Sequence, residues 1–308
     1  MTPHRIIIDT DPGIDDAMAI LLAMADPRIE LMGLTTIFGN VSTARATRNA
    51  LWLTELAHHP CPVAAGARHP LMRPPQPHPD FVHGVEGFGA EPAPAPAAAP
   101  DPRGAARFLC ETVAAHPGEI TIIAVGPLTN LAEALALDPA IARGVKGVIV
   151  MGGALRVPGN VTPHAEANIW HDPEAAAAVF SATWPMTLVG LDVTEAVTGT
   201  AADFAAIARA APRAGGFLDR AVQFYFAFHQ QAHDLEGCHM HDPTAVIALT
   251  DPALFRMHET AVEVRTEGAE IGRTVEGGRG PRLRACIGVD SDAVMQVYVA
   301  TLSNGRLP

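Results

Sequence analysis

Short runs of Ile and Val alternate along the chain with longer stretches in which Ala and Leu recur at helical spacing. The apolar runs predict strands at 5–9, 30–37, 62–65, 120–125, 146–151 and 186–190, with two more at 260–265 and 284–288. The helical stretches fall near 15–25, 43–58, 103–116, 128–137, 173–181, 201–210, 214–233, 242–250 and 290–302. Runs such as Ile120 to Val125 and Val148 to Met151 are apolar on both faces of a strand. A strand of that kind needs cover above and below, which a parallel sheet flanked by helices supplies. The pattern predicts an α/β fold with a doubly wound, mostly parallel sheet. One segment breaks the alternation. Ala90 to Pro102 reads AEPAPAPAAAPDP, and proline at that density excludes both helix and central strand. The alternation resumes directly afterwards, so the segment reads as a surface loop at about 90–102 inside one domain spanning 1–308.

Composition removes several functions. Acidic residues number 33 against 21 basic ones, a formal net charge of −12. General affinity for nucleic acid polymers comes from clustered Lys and Arg, so none is expected. No apolar run reaches the roughly 18 residues of a membrane span. The opening Met1 to Ile8 lacks a basic segment followed by a long apolar one, and the expected compartment is the cytoplasm. The four cysteines, Cys61, Cys110, Cys238 and Cys286, form no CxxC pair and read as reduced, mostly buried thiols.

The chemistry concentrates in Asp9-Thr10-Asp11-Pro12-Gly13-Ile14-Asp15-Asp16, four carboxylates where the first strand gives way to the first helix. In doubly wound sheets ligands bind at that carboxyl edge. Pro12 and Gly13 predict a tight turn that folds Asp11 back towards Asp15 and Asp16. One or two such acids would be explained by helix capping. Four converging carboxylates repel one another unless protons or a cation compensate them. Hard oxygen donors without Cys or paired His favour Ca²⁺ or Mg²⁺. A strand-end DxD also suits phosphatases of the haloacid dehalogenase type, but those need a downstream lysine and an acidic motif. Lys146, the lone lysine, is followed by an apolar run to Met151-Gly152-Gly153. That reading is weak.

The string DTDPGIDD resembles the N-terminal signature of the nucleoside hydrolases, the inosine-uridine preferring family. Further likenesses follow in family order: Phe38-Gly39-Asn40-Val41, His83-Gly84-Val85-Glu86-Gly87, Val125-Gly126-Pro127-Leu128-Thr129-Asn130, Gly159-Asn160-Val161-Thr162, Ala165-Glu166-Ala167-Asn168, Gly190-Leu191-Asp192-Val193-Thr194 and His241-Asp242-Pro243. The resemblance implies hydrolysis of the N-glycosidic bond of ribonucleosides to ribose and free base, with Ca²⁺ as cofactor. It implies Asp11, Asp16, Asp242 and the Val125 carbonyl as metal ligands. Asp15 would be general base, His241 general acid, and Asn40, His83, Asn160, Glu166 and Asn168 the substrate-binding set. A homodimer or homotetramer is also implied. The roles suit the chemistry, because cleaving a ribosyl C–N bond gives the sugar oxocarbenium character and requires an activated water. Neighbouring helical residues point about 100° apart, so Asp15 and Asp16 can face water and metal separately.

The chain departs from the pattern near the base. Ala167 stands where many relatives carry an aromatic, Glu195 follows Thr194 where many have His, and Tyr225 is followed by His229 and His233. Base preference therefore stays open, as do hydrolysis of a modified nucleoside and a catalytically silent ribose-binding role. His239-Met240-His241 is a weak zinc signal without a third soft ligand. His58, His59, His69 and His78 read as solvated. Tyr225, Phe226 and Phe228 suit a pocket wall or an amphipathic core helix equally well.

Overall fold

The computed structural model describes residues 2–308. Strand β1 (His4–Thr10) turns into helix α1 (Ile14–Ala25), followed by β2 (Ile29–Thr36), α2 (Thr43–Leu56) and β3 (Val63–Ala65). A long irregular excursion holding only the short α3 (Asp80–His83) leads to α4 (Ala105–Ala115), β4 (Ile120–Ala124), α5 (Thr129–Leu137), α6 (Ile141–Gly144) and β5 (Gly147–Met151). Next come α7 (Ala167–His171), α8 (Pro173–Ser181), β6 (Met186–Val189), α9 (Leu191–Thr194), β7 (Thr198–Gly199), α10 (Ala201–Ala210) and α11 (Ala214–His233). The chain closes with β8 (Cys238–His239), α12 (His241–Thr250), β9 (Phe255–Val264), β10 (Thr274–Glu276), β11 (Arg282–Val289) and α13 (Ser291–Leu302).

Nine strands form one sheet in the order β10-β9-β11-β6-β5-β4-β1-β2-β3. Only β9 runs against its neighbours β10 and β11, and the other pairings are parallel. Strands β7 and β8 pair separately as an antiparallel ribbon. From β1 the chain winds outward through β2 and β3, then restarts on the other flank of β1 with β4, β5 and β6. The order reverses between β1 and β4, so the loops leaving these two strands part and open a crevice at the carboxyl edge.

The apolar runs have the two-faced burial their sequence requires. Ile6 and Ile8 join the cluster on one side of the sheet while Ile7 joins the other. Ile123 and Ile122 divide in the same way, as do Ile149 and Val150. Each such side chain contributes on the order of 1.5–3 kcal/mol by leaving water. Helix α1 is buried along its whole length. It packs against α11, α12 and α13, which fixes the start of α1 beside the start of α12.

The expected strands are all present, and the two at the C-terminal side are longer than their apolar runs. In β9, Arg256, His258 and Glu259 are exposed while Ala261 and Val262 are buried. Near a sheet edge one face meets solvent, which hides half the strand from a hydrophobicity reading. Helices α3, α6, α7 and α9 have four or five residues each, too few for a helical repeat to register. Residues 90–102 carry no helix or strand, only an isolated bridge between Asp101 and Ala64. The Glu55 carboxylate accepts from the Ala97 and Ala98 N–H groups at 2.7 and 2.8 Å and ties the loop to α2. Cys110, Cys238 and Cys286 are buried, Cys61 is half-buried, and all four are free. Among the described residues no helix is long and apolar enough to cross a membrane.

Candidate active site

Beyond Thr10 the chain must leave the sheet and start α1 within three residues. Gly13 takes the N-cap position in extended conformation. A Cβ there would lie 2.7 Å from His83 Nδ1 and 2.9 Å from Asn40 Nδ2, so the close approach of both requires glycine. At the third position of the helix, Asp16 reaches back to accept from Gly13 N–H at 2.9 Å. It also accepts from Thr10 Oγ1 at 2.5 Å, Asp11 N–H at 3.1 Å and Asn40 Nδ2 at 3.0 Å. Burial pushes this carboxyl up to about 6, the neighbouring Asp15 charge adds to the push, and the Thr10 and Gly13 hydrogen bonds oppose it.

The carboxylates do not all converge as the sequence suggested. Asp9 is turned towards the sheet, where Oδ1 accepts from Thr35 Oγ1 and Asn130 Nδ2 at 2.5 and 2.7 Å. It ties β1 to β2 and α5. Asp242, in the first turn of α12, takes its place in the cluster. Oxygens of Asp15, Asp16 and Asp242 lie within 4.8 Å of one another, the one such metal-type cluster among the described residues. Asp11 stands beside this triangle. Its Oδ2 accepts from Asn40 N–H at 2.6 Å, while Oδ1 is buried with no hydrogen-bond partner. A Cβ on Gly126 would come within 2.6 Å of that Oδ1.

Burial pushes Asp15 up to about 6 and holds Asp11 and Asp242 well above the ordinary carboxylate range. Mutual repulsion raises Asp11 and Asp242 further. Asp15 Oδ1 is also buried without a partner. Closely set carboxylates, two with orphaned buried oxygens, fit a hard cation, and no histidine or cysteine enters the triangle. The starts of α1 and α12 add favourable helix dipoles.

Around this cluster lies a cavity of about 340 Å³. Asp15, Asn40, His83, Val125, Asn160, Glu166, Asn168, His241 and Asp242 line it, so nine of the residues singled out in the sequence share one space. Asp11 and Asp16 are buried beneath it rather than lining it. Glu166 caps α7, accepting from the N–H groups of Gly153, Asn168 and Ile169 at 2.9, 2.9 and 3.2 Å. Asn168 Nδ2 donates to the carbonyls of Val125 at 3.0 Å and Met151 at 3.2 Å, and Asn160 Oδ1 accepts from Ala167 N–H at 3.0 Å.

Histidines crowd the other side. His83 Nδ1 accepts from Ile14 N–H at 3.2 Å and sits 3.8 Å from Asp15 Oδ1; burial drives its imidazole down to about 4. His241 Nδ1 lies 2.8 Å from Thr194 Oγ1. Burial, then the neighbouring histidines, hold His241 well below its ordinary value. His229 donates from Nδ1 to the Tyr225 carbonyl at 2.9 Å and accepts at Nε2 from His239 N–H at 3.4 Å. Both ring nitrogens are thereby used, which makes His229 a strut between α11 and β8 rather than a proton donor.

Tyr225 and Phe228 line the cavity, whereas Phe226 turns to Phe204 at 5.8 Å. His78 is half-buried and within 2.9 Å of the Gly39 carbonyl, not solvated as its loop context suggested. Phe81, Trp170 and Glu195 line the cavity too, as does His171. Trp170 and His171 belong to the short α7, which no periodic signal announces. Thr194, the partner of His241, is visible beforehand only as part of a motif.

The model of the family described as inosine-uridine preferring nucleoside hydrolase matches residues 6–296. A probable uridine nucleosidase 2 from Arabidopsis thaliana is 40% identical over 312 residues, covering 97% of each chain. The inosine-uridine preferring nucleoside hydrolase of Leishmania major is 38% identical over 288 residues, 92% of this chain and 91% of that one. Among solved structures, a plant nucleoside hydrolase superposes with a TM-score of 0.94 at 38% identity over 98% of this chain and 99% of its own. A purine-preferring ribonucleoside hydrolase from Gardnerella vaginalis gives 0.94 at 32% identity with the same coverage.

Proposed function

We infer the mechanism from a plain premise: the chain belongs to the inosine-uridine preferring nucleoside hydrolase family. It is an N-glycosidase acting on ribonucleosides. We propose that it depends on Ca²⁺, with Asp11, Asp16, Asp242 and the Val125 carbonyl as the ligand set. Bound there, the cation would grip the ribose hydroxyls and lower the pKa of a neighbouring water. Residues 1–308 are read as one domain, since these ligands come from both ends of the chain.

The observation that carries the reading is Asp15, a buried member of the triangle with a free oxygen and a place on the cavity wall. A protein that only bound ribose would have no use for a base there. Burial raises its carboxyl and a bound cation would lower it again, so Asp15 would be ionised at neutral pH and able to take a proton from water in the transition state. Asn40, Asn160, Glu166 and Asn168 offer the mixed donors and acceptors that sugar hydroxyls require. His241 serves the departing base. A neutral imidazole whose Nδ1 is engaged by Thr194 presents Nε2 to the cavity, as donor or acceptor according to tautomer.

The test is hydrolysis of inosine, uridine, cytidine and adenosine with calcium or with chelator, alongside a calorimetric calcium titration. Release of base and reducing sugar only with calcium, and a calcium isotherm lost in Asp11→Ala, is the expected result. Absence of cleavage of every nucleoside under calcium would sink the proposal.

A further inference from the structure

Asn49 lies in the second turn of α2, fully buried and away from the cavity wall. The hydrolytic chemistry makes no call on it, yet its side chain is fully engaged. Nδ2 donates to the Pro12 carbonyl at 3.0 Å and to the Glu86 carbonyl at 2.8 Å. Oδ1 accepts from Arg48 Nε at 3.1 Å and Nη2 at 2.8 Å. Carbonyls only accept and a guanidinium only donates, so the amide can sit in one orientation alone. Arg48 also holds Glu86 directly, donating from Nη1 to its carboxylate at 2.5 Å and from Nη2 to its carbonyl at 3.2 Å.

Pro12 and Glu86 belong to different parts of the site. Pro12 sits in the turn between Asp11 and Asp15, and Glu86 in the loop that follows His83. The loop is closed on itself, since the His83 carbonyl accepts from Gly89 N–H at 2.7 Å and the Gly84 carbonyl from Gly87 N–H at 3.1 Å. Phe88 pins its far end against Trp52 of α2 and Phe217 of α11, at ring separations of 5.5 and 5.1 Å. Gly87, at φ +93°, passes so near the turn that a Cβ would stand 2.7 Å from both Asn49 Nδ2 and the Pro12 carbonyl. At the near end His83 Nδ1 accepts from Ile14 N–H at 3.2 Å, which leaves the ring hydrogen on Nε2. The loop is therefore fastened to the turn at two points, by His83 itself and by the Asn49 amide. Two fastenings fix an orientation where one would leave a hinge.

We propose that Asn49 is a positioning residue, whose amide locks the 83–89 loop onto the Pro12–Gly13 turn and so sets where His83 stands relative to Asp15, 3.8 Å away. The kinetic part of the proposal rests on the hydrolase reading above, while the clamp itself does not. Without the amide the Pro12 carbonyl loses this donor, and His83 keeps only its bond to Ile14, about which it can turn. What is lost is the prior placement of His83 on the cavity wall, and that placement is worth rate.

The experiment measures kcat/KM for uridine under saturating calcium in the native protein, Asn49→Ala, His83→Ala and the double variant. Asn49→Ala should lose about ten- to a hundredfold while His83 is present, the scale of one or two buried hydrogen bonds, and less than about threefold once His83 is alanine. Arg48→Met, at a half-buried position that leaves the core intact, should show the same dependence on His83 at about threefold. Amide exchange supplies a readout that needs no turnover. In Asn49→Ala, exchange at Ile14 and Gly87 should quicken about tenfold or more, while Ile122 in the centre of the sheet keeps its native rate. Equal losses with and without His83, or native exchange at Ile14, would overturn the proposal. If Asn49→Ala does not fold, the same comparison in Arg48→Met decides. A native protein that cleaves no nucleoside would overturn the hydrolase reading instead, and the exchange rates would still judge the clamp.

Discussion

Replacing Thr194 with valine exchanges a hydroxyl for a methyl of similar shape, and the structure fixes what that exchange must do. Thr194 is fully buried at the end of α9. Its Oγ1 stands 2.8 Å from His241 Nδ1 and has no other side-chain partner. In the tautomer where this hydroxyl donates, the imidazole proton sits on Nε2, ready for the departing base. The valine variant leaves Nδ1 buried and unpaired, a penalty of about 1–3 kcal/mol. Reorienting the ring or shifting its proton relieves that penalty at the expense of catalysis. Since about 1.4 kcal/mol is tenfold in rate, kcat/KM for uridine should fall roughly ten- to a hundredfold. A nitrophenyl riboside, whose phenolate departs without a proton, should lose less than about threefold. Both substrates are assayed under saturating calcium, with a thermal melt confirming that the variant is folded. Equal losses on the two substrates would refute the assignment of His241 to the leaving group, and no loss on either would remove Thr194 from the site.

Gly126→Ala introduces a Cβ 2.6 Å from Asp11 Oδ1, an overpacking worth about 1–3 kcal/mol. Calorimetry should find calcium affinity reduced about tenfold or more, and native affinity would separate Asp11 from the cation. Asp16→Asn turns an amide donor towards groups that themselves donate, namely Gly13, Asp11 and Asn40. Under saturating calcium, where the cation compensates the charge, urea unfolding should register a loss of about 2–4 kcal/mol, and a native midpoint would contradict the role given to Asp16. Burial drives His229 down to about 3 from an ordinary 6.5, so the folded state binds fewer protons than the unfolded one. Its stabilisation is complete above pH 6.5 and is lost as pH falls towards 3. Between pH 6.5 and 4, urea-unfolding free energies of His229→Asn should fall less steeply than native ones, and identical slopes would contradict the assignment. Calcium at about 100 times its dissociation constant should add about 2.7 kcal/mol of stability, read as a raised melting temperature that chelator abolishes.

The centre of the sheet, β1, β4, β5 and β6, was legible because its strands are short, apolar on both faces and separated by helices of two turns or more. Ile6, Ile7 and Ile8 could have no other explanation than cover from two sides, and they have it. The start of the site was legible for a related reason, since so many acids in eight residues demand compensation. What escaped were features set by distance in the fold rather than along the chain. Asp9 looks like its neighbours in sequence, but strand alternation turns it to Thr35 and Asn130. Nothing local distinguishes it. His78 looked solvated because its surroundings in sequence are prolines, and only the excursion between β3 and α4 carries it back over Gly39. The partnership of His241 with Thr194 joins residues on α12 and α9, a relation that no spacing encodes.

The carboxylate triangle draws Asp15 and Asp16 from the first turn of α1 and Asp242 from the start of α12. Such a site closes only when the first helix and the last third of the chain have met. On the proposed ligand assignment, a bound calcium would act as a clasp on the finished fold rather than a brace for any one segment. Amide exchange under saturating calcium should slow together across β1, β4 and α12, because opening any of them releases the ion. During synthesis the clasp has nothing to hold until α12 has emerged, and by then most of the parallel sheet has had time to form.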